Sequence, residues 1–263
     1  MLKNTDNKLS LHKINAMKAK GIIGSEVFFY KELSSTFDKI KELPLKNGLT
    51  VVCARQSNGS GRLGRTWESG EGGIYFTFAL TNPYEKYDIP FITLVCALGV
   101  CLALNEYVSC SIKWPNDIVC GGKKLCGILT KNLVTSAKVD AVLAGIGINA
   151  NNSFGVGLPY ASSIKDITGT ETDENKLLSE VLNSINKIYY DYSMDEVLTS
   201  YKKLCINLNR EVTLVYKDKE VQGICKDILP DGSMLFDNGK EEFAVYSGEV
   251  SVKGIYGKKG TLQ

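Results

Sequence analysis

The sequence predicts an α+β fold in which a mixed β-sheet packs against helices and a small β-barrel follows. Three observations support this prediction. Short apolar runs typical of strands recur up to about residue 149, helical segments separate or follow them, and beyond Asn209 the runs shorten and alternate between apolar and polar residues. With 263 residues, of which 44% are apolar, the chain is expected to comprise an N-terminal extension (1–24), a large domain (25–208) and the barrel (209–263).

The first part of the large domain contains three predicted strands and one functional loop. The strands are expected at residues 26–33, 49–54 and 73–80. After the first strand, Ser34 or Ser35 offers the N-cap of a short helix that runs to about Lys41. A glycine-rich polar loop from Gln56 to Gly72 joins the second and third strands. Loops of this length inside a domain usually serve a function.

The remaining elements follow from periodicity. Residues 89–108 are apolar almost all round, which is typical of a buried helix packed on a sheet. Short strands with turns between them are then predicted in the runs IKW, DIVC, KLCGILTK and VDAVLAGIGIN. One or two helices in LLSEVLNSINKIYYDYSM and EVLTSYKKLC are expected to close the core. The barrel strands are predicted in REVTLVY, EVQGICKDIL, SMLFD, EEFAVYS and EVSV.

Composition excludes several classes of protein. The formal charge of +2 does not require a nucleic-acid partner, and no apolar run approaches the roughly 20 residues of a membrane helix. The start of the chain lacks the apolar region of a secretory signal, so a cytoplasmic protein is expected. Eight cysteines without a CxxC pair are expected to be buried, reduced thiols and not a zinc site.

The single histidine limits the chemistry. His12 lies in a polar N-terminal stretch outside any catalytic motif, so Ser-His-Asp, Cys-His and HExxH mechanisms are poorly supported. A reaction driven by positioning and by cationic stabilisation of phosphates fits better.

The Gln56–Gly72 loop contains a GxGxxG string, which raises the alternative of a nicotinamide-dependent oxidoreductase. That fingerprint requires a helix to start among the glycines, whereas here Trp67 and then a predicted strand follow. The loop does supply two guanidinium groups, at Arg62 and Arg65, which suit phosphate oxygens, and an indole that can stack on adenine.

Taken together, the motifs resemble those of the biotin protein ligases. The family's glycine- and arginine-rich loop, its KWPND and K-L-x-G-I-L motifs and its G-x-G-I-N element occur in the same order, at residues 56–73, 113–117, 124–129 and 144–149. Ser35-Thr36 matches the Ser-Thr of its D-S-T-N motif, and Asn209-Arg210 resembles the entry to its C-terminal barrel. The resemblance covers the chain from about Ile14 to Val252.

This resemblance implies a ligase-type catalytic domain followed by an SH3-like barrel. It also implies an activity: ATP and biotin give biotinyl-adenylate and pyrophosphate, and biotin is then transferred to one lysine of a carboxylase carrier domain. Mg²⁺ is expected to be held through the ATP phosphates, with no metal ligand from the protein. The sequence does not distinguish a monomer from a homodimer.

Site residues follow from the matched motifs. Lys124, Arg62 and Asp117 are expected to be catalytic, with Lys124 holding the biotin carboxylate and neutralising charge at the α-phosphorus. The expected biotin-binding residues are Ser35, Thr36, Phe37, Gln56, Ser60, Gly61, Arg62, Lys124 and Gly127. The expected ATP- or adenylate-binding residues are Arg62, Arg65, Trp67, Asn116 and Asn149. The sequence leaves open whether Asp117 orients the incoming lysine or neutralises Lys113.

The chain departs from the family pattern at four positions. Ser60 replaces the first arginine of the loop, Ser34 and Phe37 replace the aspartate and asparagine of D-S-T-N, and Lys131 follows GIL where an acidic residue is usual. These departures bear on ligand affinity more than on the type of reaction.

Three other functions were weighed. Lipoate ligases share the adenylation chemistry, but their R-R-x-S-G-G-G loop does not occur here. A biotin-operon repressor needs a winged helix, and about 25 residues before the first strand are too few for one. A non-catalytic binding module would not need Arg62 and Lys124.

Overall fold

The computed structural model describes residues 8–16, 21–81, 89–135, 138–155, 157–216, 219–246 and 249–252. The helices are α1 Leu11–Ala16, α2 Thr36–Lys41, α3 Ile89–Leu104, α4 Ile164–Thr168, α5 Glu174–Asp191 and α6 Met194–Leu204. The first seven strands are β1 Val27–Tyr30, β2 Thr50–Cys53, β3 Ile74–Thr81, β4 Ser111–Lys113, β5 Asp117–Cys120, β6 Lys123–Thr135 and β7 Lys138–Ile148. The last five are β8 Glu211–Tyr216, β9 Lys219–Ile228, β10 Met234–Asp237, β11 Glu242–Val245 and β12 Glu249–Val252.

A seven-stranded sheet forms the centre of the molecule, in the order β1-β2-β3-β7-β6-β5-β4. The pair β1–β2 is parallel and the other neighbours are antiparallel, so the sheet is mixed, as predicted. The last five strands form a separate antiparallel sheet in the order β11-β10-β9-β8-β12. The α+β prediction is thereby confirmed, with a small C-terminal sheet where the barrel was expected. The exact domain limits stay a prediction.

The two faces of the large sheet are covered unequally. Helix α3 is buried along most of its length, although Leu102 is exposed, and Gly99 brings it so close to α5 that a Cβ at this position would lie 2.8 Å from Cγ1 of Ile185. The opposite face carries the short helix α2, whose Phe37 and Ile40 pack on a small cluster with Leu143. Since strand side chains alternate between faces, Gly145 and Gly147 share the α2 face with Leu143. This more open face is where the candidate site lies.

The C-terminal sheet is packed onto the large one through the Trp114-Pro115 turn. The indole N–H of Trp114 donates to the carbonyl of Gly232 at 3.0 Å, and its backbone N–H donates to Oδ1 of Asn207 at 2.7 Å. The hydroxyl of Tyr201 donates to the Pro115 carbonyl at 3.1 Å. The turn that precedes Asn116 is therefore held in place from outside the large sheet.

Several element boundaries differ from the predictions. Strand β1 ends at Tyr30 instead of residue 33, although Leu33 still forms a single bridge to Gln56 in the same parallel register. The apolar helix stops at Leu104 and not at residue 108. Sequence periodicity did not predict α1, which follows a segment where Leu9 donates its backbone N–H to Oε2 of Glu174 at 3.1 Å, 165 residues away.

All eight cysteines are free thiols, and all but Cys120 are buried, in agreement with their expected packing role. Burial raises the pKa of the Cys96 thiol to about 12, so this side chain is inert at neutral pH. In the described ranges, no helix is long and apolar enough to cross a membrane.

Candidate functional site

The floor of the candidate site is a strip of glycines on β6 and β7. Gly127 and Gly147 lie opposite each other across the ladder. A Cβ at Gly127 would lie 2.9 Å from Cζ3 of Trp67, and one at Gly147 would overlap the indole Nε1. A Cβ at Gly145 would overlap the ring of Phe37. The missing side chains therefore let two aromatic rings lie directly on the sheet.

The glycine-rich loop does not begin a helix. Its backbone turns back on itself, with the N–H of Gly61 donating to the carbonyl of Arg65 at 2.7 Å. The only helical geometry is a three-residue 3₁₀ turn, Arg62–Gly64, and within it Leu63 has a φ of 55°. Because the dinucleotide fingerprint needs a helix N-terminus to receive the pyrophosphate, this loop is not such a fingerprint and no longer supports an oxidoreductase.

Three of the polar residues predicted to bind biotin, Ser35, Thr36 and Gln56, lie together at one end of the strip. Ser35 is the N-cap of α2, and its hydroxyl accepts from the N–H of Phe37 at 3.2 Å. Thr36 donates its backbone N–H and its hydroxyl to Oε1 of Gln56, at 2.8 and 3.0 Å. These three side chains are uncharged and rich in donors and acceptors, as a neutral bicyclic ligand requires, and the nearby Lys131 ammonium lies 5.4 Å from the centroid of the Phe37 ring.

Two lysines and a carboxylate lie at the other end. Nζ of Lys124 is 2.7 Å from Oδ1 of Asp117, and Nζ of Lys113 is 3.9 Å from Oδ2. Burial by itself raises the pKa of the Asp117 carboxyl, but the positive charges of Lys124, Lys113 and Arg62 together outweigh burial and hold this pKa below its usual range. Asp117 therefore neutralises Lys113 in part, one of the two roles left open above, while its larger contact is with Lys124.

Lys124 also lies beside Trp67, whose ring rests on the glycine floor of the site. Its Nζ is 5.2 Å from the centroid of the Trp67 ring. The backbone of Lys124 is held by the loop that follows β7, because its N–H donates to the carbonyl of Tyr160 at 2.7 Å and its carbonyl accepts from the N–H of Ser162 at 3.1 Å. The ammonium group is thus carried on a fixed backbone.

Arg62 reaches the site through Asn116. Nη1 of Arg62 donates to Oδ1 of Asn116 at 2.9 Å, and Nδ2 of Asn116 donates to the carbonyl of Ile128 at 2.7 Å. The asparagine of the KWPND motif therefore ties the loop to β6. Arg65 is half-buried nearby in sequence, and Ser60 is exposed and forms a bridge with Thr66.

Asn149 differs from the expectation of an amide facing a ligand. Its side chain is almost fully buried, its Nδ2 donates to the carbonyl of Lys124 at 3.3 Å, and its Oδ1 accepts from Nδ2 of Asn152 at 3.3 Å. The amide supports the strand that carries Lys124, and its contact with a nucleotide stays a prediction.

Sequence reasoning did not identify three contributors to the site. Gly145 and Gly147 were quoted only as part of a motif, although glycines inside a strand signal that something approaches the backbone closely. Ser69 was missed altogether, because a serine in a polar loop carries no signal in the sequence. Its hydroxyl accepts from Nε2 of Gln56 at 3.0 Å.

Comparisons with known proteins agree with the fold and with the order of the motifs. Residues 29–149 match the model of the biotin/lipoate A/B protein ligase family. The chain is 34% identical over 259 residues to the bifunctional ligase/repressor BirA of Bacillus subtilis, spanning 93% of this chain and 79% of that protein. It is 24% identical over 217 residues to the biotin--[acetyl-CoA-carboxylase] ligase of Mycobacterium tuberculosis, spanning 78% of this chain and 79% of that one.

A solved structure has the same fold over most of its length. The biotin protein ligase of Aquifex aeolicus in complex with biotin and ATP superposes with a TM-score of 0.77 at 31% identity, covering 87% of this chain and 98% of that one. The resemblance inferred from the motifs is confirmed, and this chain belongs to the biotin/lipoate A/B protein ligase family.

Proposed function

We propose that this chain is a biotin protein ligase, which activates biotin with ATP and transfers it to a lysine of a biotin carboxyl carrier domain. The observation that carries the proposal is the polarity of the site. An uncharged donor-acceptor end at Thr36 and Gln56 is joined to a cationic end at Lys124 and Arg62 by a glycine floor under Trp67. Relatives named as biotin ligases support it.

In the first half-reaction, the ring of biotin takes the uncharged end and its carboxylate points toward Lys124. A carboxylate oxygen attacks the α-phosphorus of ATP, an acyl-phosphate bond forms, and pyrophosphate leaves. Lys124 and Arg62 stabilise the negative charge that develops on the phosphoryl oxygens, since cations placed in a partly buried site act more strongly than in water. To do so, the Lys124 ammonium must leave its ion pair with Asp117 and contact the ligand instead.

In the second half-reaction, the ε-amine of the carrier lysine attacks the acyl carbon, an amide bond forms, and AMP leaves with the electron pair of the acyl-oxygen bond. The amine must lose a proton, and Asp117 is the carboxylate beside Lys124. Because the pKa of Asp117 is low, its carboxylate orients the amine and stabilises its charge, and the proton passes to the phosphate of the departing AMP or to water.

Mg²⁺ enters this scheme as a counterion of ATP. Among the described residues, no group of three or more His, Cys, Asp or Glu side chains could hold a metal ion. Both oxygens of Asp117 face lysines, so this carboxylate does not suit a protein-held cation. The ATP phosphates supply the oxygen ligands that Mg²⁺ prefers.

The carrier and the compartment are part of the same proposal. Names such as biotin--[acetyl-CoA-carboxylase] ligase among the relatives point to the carrier domain of a biotin-dependent carboxylase as the protein substrate. We also place the reaction in the cytoplasm, since the relatives include ligases of bacteria.

The test of the proposed function is product analysis. Purified protein is incubated with biotin, ATP and Mg²⁺ and examined by mass spectrometry, first alone and then with a biotin carboxyl carrier domain. We expect biotinyl-adenylate in the first case and a carrier heavier by one biotinyl group in the second. If lipoate replaces biotin as the preferred acid, the protein is a lipoate-type ligase instead.

Ser60→Arg is expected to tighten ligand binding. The substitution restores a guanidinium that the family loop usually carries, at an exposed position opposite Thr66. A charge-assisted hydrogen bond contributes on the order of 1.5–3 kcal/mol, so the dissociation constants of biotin and of the adenylate should fall about tenfold. Calorimetry on both proteins measures the change, and unchanged constants would show that the loop compensates for Ser60 in another way.

We expect this chain to show no site-specific operator binding. In the described part of the N-terminal region, the six-residue helix α1 packs beside α5, and the formal net charge is only +2. A gel shift with a biotin-operon fragment, at physiological salt with saturating biotin and ATP, is the measurement. A sequence-specific shift at nanomolar protein would contradict the expectation, whereas weak salt-sensitive binding is ordinary background.

A further inference from the structure

Four polar side chains form a continuous chain of hydrogen bonds from β3 to Trp67. The hydroxyls of Thr77 and Thr36 are 2.8 Å apart, and Thr36 donates to Oε1 of Gln56 at 3.0 Å. Nε2 of Gln56 donates to the hydroxyl of Ser69 at 3.0 Å, and this hydroxyl donates to the backbone carbonyl of Trp67 at 3.1 Å. These hydrogen bonds link the Thr36–Gln56 end of the site to Trp67, which lies on the glycine floor.

The directions of these bonds single out Ser69. A hydroxyl has one proton, and Ser69 gives it to the Trp67 carbonyl while accepting from the Gln56 amide. Ser69 is 6% exposed, so water has little access to replace it. Ser69 therefore holds the Nε2 end of the Gln56 amide, whose Oε1 accepts from the Thr36 backbone N–H, and it connects this amide to the Trp67 backbone.

The loop is wrapped tightly around this serine. A Cβ at Gly59 would lie 2.7 Å from the hydroxyl oxygen of Ser69 and 3.1 Å from Nε2 of Gln56. The N–H of Trp67 donates to the Gly59 carbonyl at 2.8 Å. Trp67 is thus fixed by both of its backbone polar groups, one on Gly59 and one on Ser69.

The indole of Trp67 is not secured by its own N–H. Among the described residues, buried Nε1 of Trp67 has no hydrogen-bond partner, and the ring rests on Gly127 and Gly147. The position of the ring therefore depends on the position of the Trp67 backbone, which Ser69 helps to fix. A change at Gln56 is transmitted to the indole along this path.

We propose that Ser69 is a positioning residue of the ligase site, which fixes the Gln56 amide and reports occupancy of the Thr36–Gln56 end to Trp67. The proposal rests on the proposed function for the identity of the ligand. When the ureido group of biotin forms a hydrogen bond with Thr36 or Gln56, the length of the Gln56–Ser69 hydrogen bond changes. The Trp67 carbonyl, which is bonded to Ser69, moves with it.

The experiment compares Ser69→Ala, Ser69→Thr and Thr77→Val with the unaltered chain. Thr77→Val keeps the shape of a fully buried residue but removes its hydroxyl from the upstream end of the chain. Measurements are the thermal unfolding midpoint, the biotin dissociation constant by calorimetry, kcat and KM for biotin, and Trp67 emission, obtained by subtracting the spectrum of Trp67→Phe.

For Ser69→Ala, we expect the biotin dissociation constant to rise about tenfold, as for one lost buried hydrogen bond, with KM following it. The emission of Trp67 without ligand should shift, and its response to biotin should fall by more than half. Ser69→Thr should restore both, because it keeps the hydroxyl. Thr77→Val should weaken biotin binding but leave ligand-free Trp67 emission unchanged, because the Ser69–Trp67 bond is intact.

The proposal is overturned if Ser69→Ala leaves the ligand-free emission spectrum of Trp67 unshifted and changes the biotin dissociation constant by less than twofold. It is also overturned if Ser69→Thr, folded with a normal unfolding midpoint, behaves like Ser69→Ala, or if Thr77→Val shifts ligand-free emission as strongly. Biotin binding by the unaltered chain tests the proposed function separately. If it fails, the ligand-free emission of Ser69→Ala still tests the link from Ser69 to Trp67.

Discussion

Lys124→Ala is expected to lower the rate of biotinyl-adenylate formation by at least about 100-fold, while the biotin dissociation constant rises about tenfold or less. The ammonium group lies where the biotin carboxylate and the developing charge at phosphorus would meet, and a contact that strengthens in the transition state affects the rate more than ground-state binding. Single-turnover adenylation and calorimetric titration measure the two quantities. Added biotinyl-adenylate should partly restore transfer to the carrier.

The same substitution removes the closer partner of Asp117. Their separation is 2.7 Å, and Asp117 is largely buried, so we expect the free energy of unfolding to fall by about 2 kcal/mol. The loss is smaller than for a fully buried pair, because Lys113 stays beside Asp117. Adding Asp117→Asn should recover part of the stability, because it also takes the carboxylate away from buried Lys113, and it should not recover adenylation.

Lys123→Ala is the matched control for this prediction. Lys123 is the neighbouring residue on β6 but is exposed, and its variant should form adenylate at a near-normal rate. Near-normal adenylation by Lys124→Ala would remove Lys124 from the catalytic residues.

Gly147→Ala is expected to lower adenylation by about 10- to 100-fold with little loss of stability. The new methyl group would overlap the indole nitrogen of Trp67, so the ring must leave the floor of the site. Misplacing a ligand-contacting group by about 1 Å costs on the order of 100-fold in rate. Because Trp67 borders solvent, the fold can accommodate its displacement at a cost of about 1 kcal/mol. Trp67 emission should move to longer wavelength.

Gly70→Ala provides the control, since a Cβ at Gly70 would meet nothing within 4 Å. This variant should keep both the emission and the adenylation rate of the unaltered chain. If Gly147→Ala adenylates normally with unchanged Trp67 emission, the indole does not rest on the glycine strip in solution.

Much of the fold was predictable because its signals are local. The all-round apolar run at 89–108 identified α3, and the alternating runs after Asn209 identified the strands of the small sheet. The boundaries were less accurate where a distant residue decides them. The segment before α1, for example, is bonded to Glu174, a contact that joins residues 165 positions apart.

The sequence by itself determined the family, the type of reaction and the residue types at the two ends of the site, because these depend on motifs whose order and spacing can be read along the chain. Only the tertiary structure decided what each group is bonded to. It showed that Asp117 faces Lys124 and Lys113, that the Asn149 amide supports β6, and that Ser69 joins Gln56 to Trp67. The physical reason is that hydrogen bonds and ion pairs depend on distances of a few ångströms between residues far apart in the chain, and burial then determines their strength.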